Sequence, residues 1–337
     1  MGRRLLLVMI DKKRSTDVCM IRVKPQNLFS RDDGPGRLKM AVQFPLVRMV
    51  IALLALGPAV IAFNVVYGRF IDVQSRWTSW PGDIGAVMIV GLTLCCYRLY
   101  VKLVEKRPAF EVQRLGSGVE TGIGFALGAL LVVLTMLVIL LAGSYNVESA
   151  NASATLIHAF FIFGLLALFE ELAFRGILLR LFEEMLGTWL SIGVVACLFG
   201  AVHLVHEEAT MLSSTAIALQ DLVLSGAFVL TRKIWLSWGI HWGWNFAQDG
   251  VLGMPNSSVD VLPSLLNSEV SGPTWVTGGV FGIELSVIGV VLNIVAGLVL
   301  VKFAIDRGQT LRPIWRRSPR DAEMGLHAPS AGGYPCA

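Results

Sequence analysis

Apolar residues in this chain fall in blocks of about 18 or more positions with few charges, the pattern of helices that cross a bilayer. Eight such blocks can be marked, at about 46–67, 84–101, 119–143, 153–182, 187–205, 211–231, 234–252 and 282–304. Each is near or above the roughly 20 residues that a span needs. The pattern therefore predicts an all-α fold, a polytopic transmembrane helix bundle of about eight helices. Residues 1–45 read as a cytosolic N-terminal tail, 46–305 as the transmembrane helical domain, and 306–337 as a disordered C-terminal tail rich in Arg, Pro and Gly. The apolar run at 5–10 is too short for a signal-peptide core, and Met40 or Met49 are later candidates for the translation start.

Composition agrees with the blocks. Hydrophobic residues make up 55% of 337 positions and charged residues only 15%, where a soluble domain needs about a quarter charged to wet its surface. The net charge of +4 sits in short segments between blocks, which argues for lipid as the partner and against nucleic acid. Lys and Arg crowd the segment before the first block, the second–third loop, Arg232-Lys233, and the stretch after the eighth block. The loops at 144–152, 206–210 and 253–281 contain neither. This alternation predicts a multi-pass integral protein of the inner membrane with both termini cytoplasmic. The five cysteines show no C-x-x-C pair or zinc-like spacing. Cys336 is penultimate, whereas a prenylation box needs its Cys fourth from the end.

Against this apolar background, a few ionisable residues stand out. A charge near the bilayer centre costs roughly 2.5–3.5 kcal/mol on insertion scales, so each one is a functional candidate. The fourth block reads ALFEELAFRGILLRLF. Glu171 and Arg175 are i and i+4 and can pair, while Glu170 is rotated about 100° away and left for another partner. Phe199 and His203 in the fifth block, and His241 and Asn245 in the seventh, have the same i, i+4 spacing. Three helices thus each present a polar face, and buried polar groups in lipid seek one another. A carboxylate beside an imidazole can activate a water, and a second imidazole with a carboxamide can hold an oxyanion. That chemistry suits acyl-bond hydrolysis without a Ser or Cys nucleophile. The same groups could instead hold a divalent metal such as zinc, through Glu170, His203 and His241.

Glu170-Glu171-x-x-x-Arg175, Phe199-x-x-x-His203 and His241-x-x-x-Asn245 resemble, in order, the three motifs of the CPBP family, the type II CAAX prenyl endopeptidases and bacteriocin-processing intramembrane proteases. The resemblance covers about 150–250. It implies a membrane-embedded endopeptidase acting on a peptide or protein substrate, prenylated in the CAAX branch. It implies Glu170 and His203 as water activators and His241 with Asn245 as oxyanion donors, with Glu171 occupied by Arg175. The water-activating reading requires no cofactor. A proton- or ion-coupled transporter is the alternative from another class, though no internal repeat is evident. A non-catalytic scaffold or immunity protein on the same fold is the third.

Depth is the test this arrangement has to pass. At 1.5 Å per residue, Glu171 lies about 14 Å from Arg180 and His241 about 12 Å from Lys233, but His203 lies about 24 Å from Gly187. The three align if the fifth helix starts outside the core or tilts. The remaining polar residues have blander readings. His158 reads as interfacial, His206 with Glu207 and Glu208 as an outer loop, and Asp221 and Asn293 as interhelical hydrogen-bonding residues.

Overall fold

In the computed structural model, residues 41–70, 80–151, 154–257 and 264–316 are described. Most of both expected tails lies outside them. Pro35–Ile314 form one unit, and everything below concerns that unit.

The chain forms α1 (Pro45–Ala55), α2 (Gly57–Phe70), α3 (Trp80–Tyr100), α4 (Ser117–Leu141), α5 (Ala154–Glu171), α6 (Arg180–Val202), α7 (Met211–Thr231), α8 (Ile234–Asn245) and α9 (Val287–Asp306). Among the described residues, six stretches are long and apolar enough to cross a membrane: Pro45–Val65, Asp83–Glu105, Ser117–Leu141, Leu156–Val205, Met211–Thr231 and Val287–Asp306. The bundle is all-α, as the block pattern predicts. The eight blocks become six stretches for two reasons. The fourth and fifth run together over 50 residues, broken only at Gly187 (φ 72°, ψ 171°). The seventh supplies α8 and the π turn Phe246–Val251 that continues it, a helix made too polar to count by His241, Asn245, Gln248 and Asp249, and most of the α8 side chains are buried inside the bundle.

Close backbone contact explains how α8 sits so deep. A Cβ added at Gly124 or Gly128 of α4 would run into the Leu236 or Ile240 carbonyl of α8. One added at Gly239 or Gly243 would run into the Thr121 or Phe125 carbonyl of α4. Small residues let membrane helices approach until dispersion between backbones replaces contacts to lipid. The pair is further closed by Phe125, Phe160 and Trp242, whose rings pack at 4.3–5.9 Å.

Three helices widen into π-helical turns: Val101–Glu105 after α3, Leu172–Leu179 after α5, and Phe246–Val251 after α8. The second and third begin at or next to the motif residues, where π-bulges commonly mark functional sites. In the turn after α5 the Gly176 carbonyl accepts from Tyr97 Oη and from Arg180 Nε, each at 2.9 Å. That satisfies a backbone group which lipid could not.

The two ends of the bundle differ. At one, Tyr145–Ala150 (β1) pairs antiparallel with Leu266–Val270 (β2), a ribbon formed by loops in which the sequence pattern shows no strand. At the other, Arg180 donates to Glu105 at 2.6 Å, Arg107 pairs with Glu105 and Glu111 at 2.6 and 2.8 Å, and Arg48 pairs with Glu184. Glu183 accepts from Arg232 at 2.6 Å and from Thr188 at 2.5 Å. Gly187 and Thr188 abut residues 311–313, with Thr188 N–H bonded to the Leu311 carbonyl at 3.0 Å. The start of the fifth helix is thus tied into the charged layer rather than sunk in the apolar core.

Candidate functional site

A cavity of about 290 Å³ opens between α5, α6, α7 and α8. Glu170, Phe199, His203, Asp221, His241 and Asn245 all line it. The depth question has an answer: His203 starts the 3-10 turn His203–Val205 that ends α6, and it faces the same space as Glu170 and His241. The three motif helices therefore converge, although their lengths from the charged layer differ.

Behind the cavity wall lies an ion cluster with no exposure to solvent. Arg175 Nη1 donates to Glu171 Oε1 at 3.0 Å, the pairing that the i, i+4 spacing predicts. Its Nη2 also pairs with Asp221, and Ser225 Oγ donates to the other Asp221 oxygen at 2.6 Å. Glu171 and Arg175 are each 0% exposed, so this set is structural in the strict sense that removing one member strands buried charge. The guanidinium lies 4.8 Å from the Phe199 ring centroid, a cation–π contact that gives the aromatic residue of the second motif a physical role. Phe199 then packs on His203 at 4.9 Å and on His241 at 6.1 Å.

Hydrogen bonds orient both imidazoles. His203 Nδ1 is 2.7 Å from the Phe199 carbonyl. A carbonyl only accepts, so Nδ1 carries the proton and Nε2 is left as an acceptor in the neutral ring. His241 Nδ1 donates to Glu171 Oε1 at 3.0 Å, and its Nε2 faces Glu170 Oε2 at 3.8 Å. Glu170 is the more accessible carboxylate of the pair, its side chain 37% exposed. Asn245 is half-buried on the same wall, one turn beyond His241.

Several neighbours add to or depart from their sequence readings. Asp221 and Asn293 do hydrogen-bond between helices as read, Asp221 with Arg175 and Asn293 with Gln220, and Asp221 is also part of the cavity wall. Asn293 also lines the cavity. His206 does lie in a loop, where its ring sits tilted 5.4 Å from that of His203 and bonds through Nδ1 to the Ser257 carbonyl at 2.6 Å. His158, read as interfacial, is buried within the protein near the start of its helix and pairs with Asp83 at 2.6 Å. Glu284, inside the eighth apolar block, faces the cavity from the 3-10 turn Ile283–Leu285. A carboxylate in the run FGIELSVIGVV was the signal that could have found it.

Metal binding makes a stricter geometric demand. Among the described residues no group of three or more His, Cys, Asp or Glu side chains is arranged to hold an ion. Glu170 and His241 alone are spaced as two ligands of one ion could be, with His241 Nε2 3.8 Å from Glu170 and Nδ1 held by Glu171, but His203 does not complete a set of three with them in this arrangement.

The fold and cavity define a multi-pass membrane protein with a polar site enclosed by its helices. Residues 150–247 match the family model described as type II CAAX prenyl endopeptidase Rce1-like. The matched stretch is less than half of the chain and contains all seven motif residues from Glu170 to Asn245. The match supports a type II CAAX prenyl endopeptidase Rce1-like domain over 150–247. No curated protein and no solved structure matches the chain.

Proposed function

We propose that this protein is an intramembrane endopeptidase that hydrolyses a peptide bond with an activated water. The observation that carries the reading is the convergence of Glu170, His203, His241 and Asn245 on one cavity within the bundle. Glu170 and His203 Nε2 take the water between them, and the Glu170 carboxylate accepts its proton. The hydroxide attacks the scissile carbonyl carbon. His241 and Asn245 donate to the resulting oxyanion. For His241 to donate through Nε2 while Nδ1–H bonds Glu171, the ring carries both protons, and Glu171 and Glu170 supply the opposing charge. The protonated Glu170 then gives its proton to the leaving nitrogen as the C–N bond breaks, so a carboxylic acid and an amine leave, and Glu170 is again a carboxylate.

The substrate class that best suits the family and the lipid setting is a peptide or protein with a lipid-modified C-terminal region, approached from the membrane. Both termini are read as cytoplasmic, which places the charged layer at the cytoplasmic face. The test is hydrolysis of prenylated and unprenylated reporter peptides by the purified full chain in liposomes. Cleavage that disappears in Glu170→Gln supports the reading. Full cleavage in that variant, or solute flux into sealed vesicles without any cleavage, overturns it.

A further inference from the structure

The same cavity has a second polar wall that this hydrolytic chemistry leaves unused. Glu284 lines it and is 7% exposed. Gln248 Nε2 donates to its Oε2 at 2.7 Å, while Ser257 Oγ reaches Oε1 only at 3.4 Å. Gln220 Nε2 holds the Glu284 carbonyl at 2.7 Å, and Asn293 Nδ2 reaches Gln220 Oε1 at 3.2 Å. The turn that carries the carboxyl is thus pinned by α7 and α9, and its side chain is held in place rather than left to swing out.

What sets Glu284 apart is the charge around it. The other carboxylates on the cavity wall have cationic or ionisable nitrogen partners: Asp221 has Arg175, and Glu170 has His241. Among the described residues, no Lys, Arg or His lies within ion-pair distance of Glu284. A carboxylate enclosed without a cation is costly, and either a proton or a cation brought by a ligand relieves that cost. Burial alone pushes Glu284 up to about 7. An acceptor-only group aimed into a peptide-sized cavity suits a donor-rich cation.

We propose that Glu284 forms a subsite for a basic side chain of the substrate, a lysine or arginine near the scissile bond. This rests on the reading of the cavity as a peptidase site. The ammonium or guanidinium would pair with the carboxylate, fix the register of the peptide, and present one bond to Glu170 and His203.

The experiment uses the full chain in liposomes and peptides that differ at one position, carrying Lys, Arg, norleucine or Glu, with that position moved stepwise along both sides of the bond. At one register, kcat/KM for Lys should exceed that for norleucine by about tenfold or more, the factor expected of one charge-assisted pair. Glu284→Gln should bring that ratio near one, Glu284→Asp should restore part of it, and Glu284→Lys should favour the Glu peptide. The wild-type ratio should also fall as pH drops from 8 to 6. The other titratable groups facing the cavity (Glu170, His203, His206, Asp221 and His241) also act on the Lys charge, so the same pH series in Glu284→Gln isolates the Glu284 contribution, which should be absent there. No preference at any register, or a ratio unchanged in Glu284→Gln, overturns the subsite. Binding of the same peptides to Glu170→Gln separates the two claims. A Lys preference in Kd without hydrolysis by the wild type sinks the peptidase reading and keeps the subsite. Hydrolysis without preference does the reverse.

Discussion

His241 and Glu171 meet across two helices at 3.0 Å, and that bond decides which imidazole nitrogen faces the cavity. It also joins the proposed oxyanion wall to the buried Arg175 cluster, so catalysis and fold share one carboxylate. Glu171→Gln keeps the shape but replaces the acceptor with an amide that can present its N–H₂ instead. The expected result is a fall in kcat of about 10²-fold or more, with KM little changed, because an orienting partner is lost. Steady-state kinetics on a reporter peptide reads it, and an unaltered kcat would break the proposed link.

The water-activating and oxyanion roles separate by degree. Glu170→Gln and His203→Ala should each lower kcat by about 10²- to 10⁴-fold, the span of general acid–base catalysis. His241→Ala and Asn245→Ala should each cost about 10²- to 10³-fold. Because the four act together, combining Glu170→Gln with Asn245→Ala should cost far less than the product of the single losses.

Arg175→Leu leaves Glu171 and Asp221 enclosed without their shared cation. Breaking a buried pair in this way costs about 3–5 kcal/mol, which a thermal melt in detergent would register as a large fall in Tm. Adding Asp221→Asn and Glu171→Gln to Arg175→Leu should recover part of that stability without recovering cleavage. A triple variant no more stable than the single one would show that the cluster is held by packing rather than charge.

Stability should depend on pH through Glu284. Its folded value of about 7 lies above the ordinary 4.5, so the unfolded chain ionises first. The contribution is fully present below about 4.5, declines as pH rises between the two values, and is lost above 7. The full difference is on the order of 3 kcal/mol. Melts at pH 5.5 and 8 should differ in the wild type, and the difference should shrink in Glu284→Gln.

The proposed route also predicts that EDTA or 1,10-phenanthroline leaves cleavage unchanged, measured before and after dialysis. Loss on chelation with recovery by one divalent ion would replace the metal-free mechanism.

The helix content and the Glu171–Arg175 pair follow from local rules. Both the apolar block length and the i, i+4 spacing act within a few turns, so they are visible in the sequence. What stayed hidden depends on long-range contact. The π-turns after Glu171 and Asn245 follow from tertiary packing, with the Gly176 carbonyl claimed by Tyr97 from 79 residues away. The β ribbon pairs segments more than 100 residues apart, so neither half shows a strand signal alone. Asp221 and Glu284 were each lone carboxylates in apolar runs. Their roles depend on Arg175, which reaches the first, and on the lack of any cation within ion-pair distance of the second among the described residues.

The glycine contacts between α4 and α8 have a mechanical consequence. With Gly124, Gly128, Gly239 and Gly243 bringing backbone against backbone, α8 has no side-chain cushion on that side and cannot shift without opening a void in the bundle. His241 and Asn245 therefore stand on a fixed jaw. The opposite jaw ends in the short turn at His203 and in the loop that meets it through His206 and Ser257. Were the proposed peptide to enter, room for it would have to come from that side, since the other is closed by backbone contact.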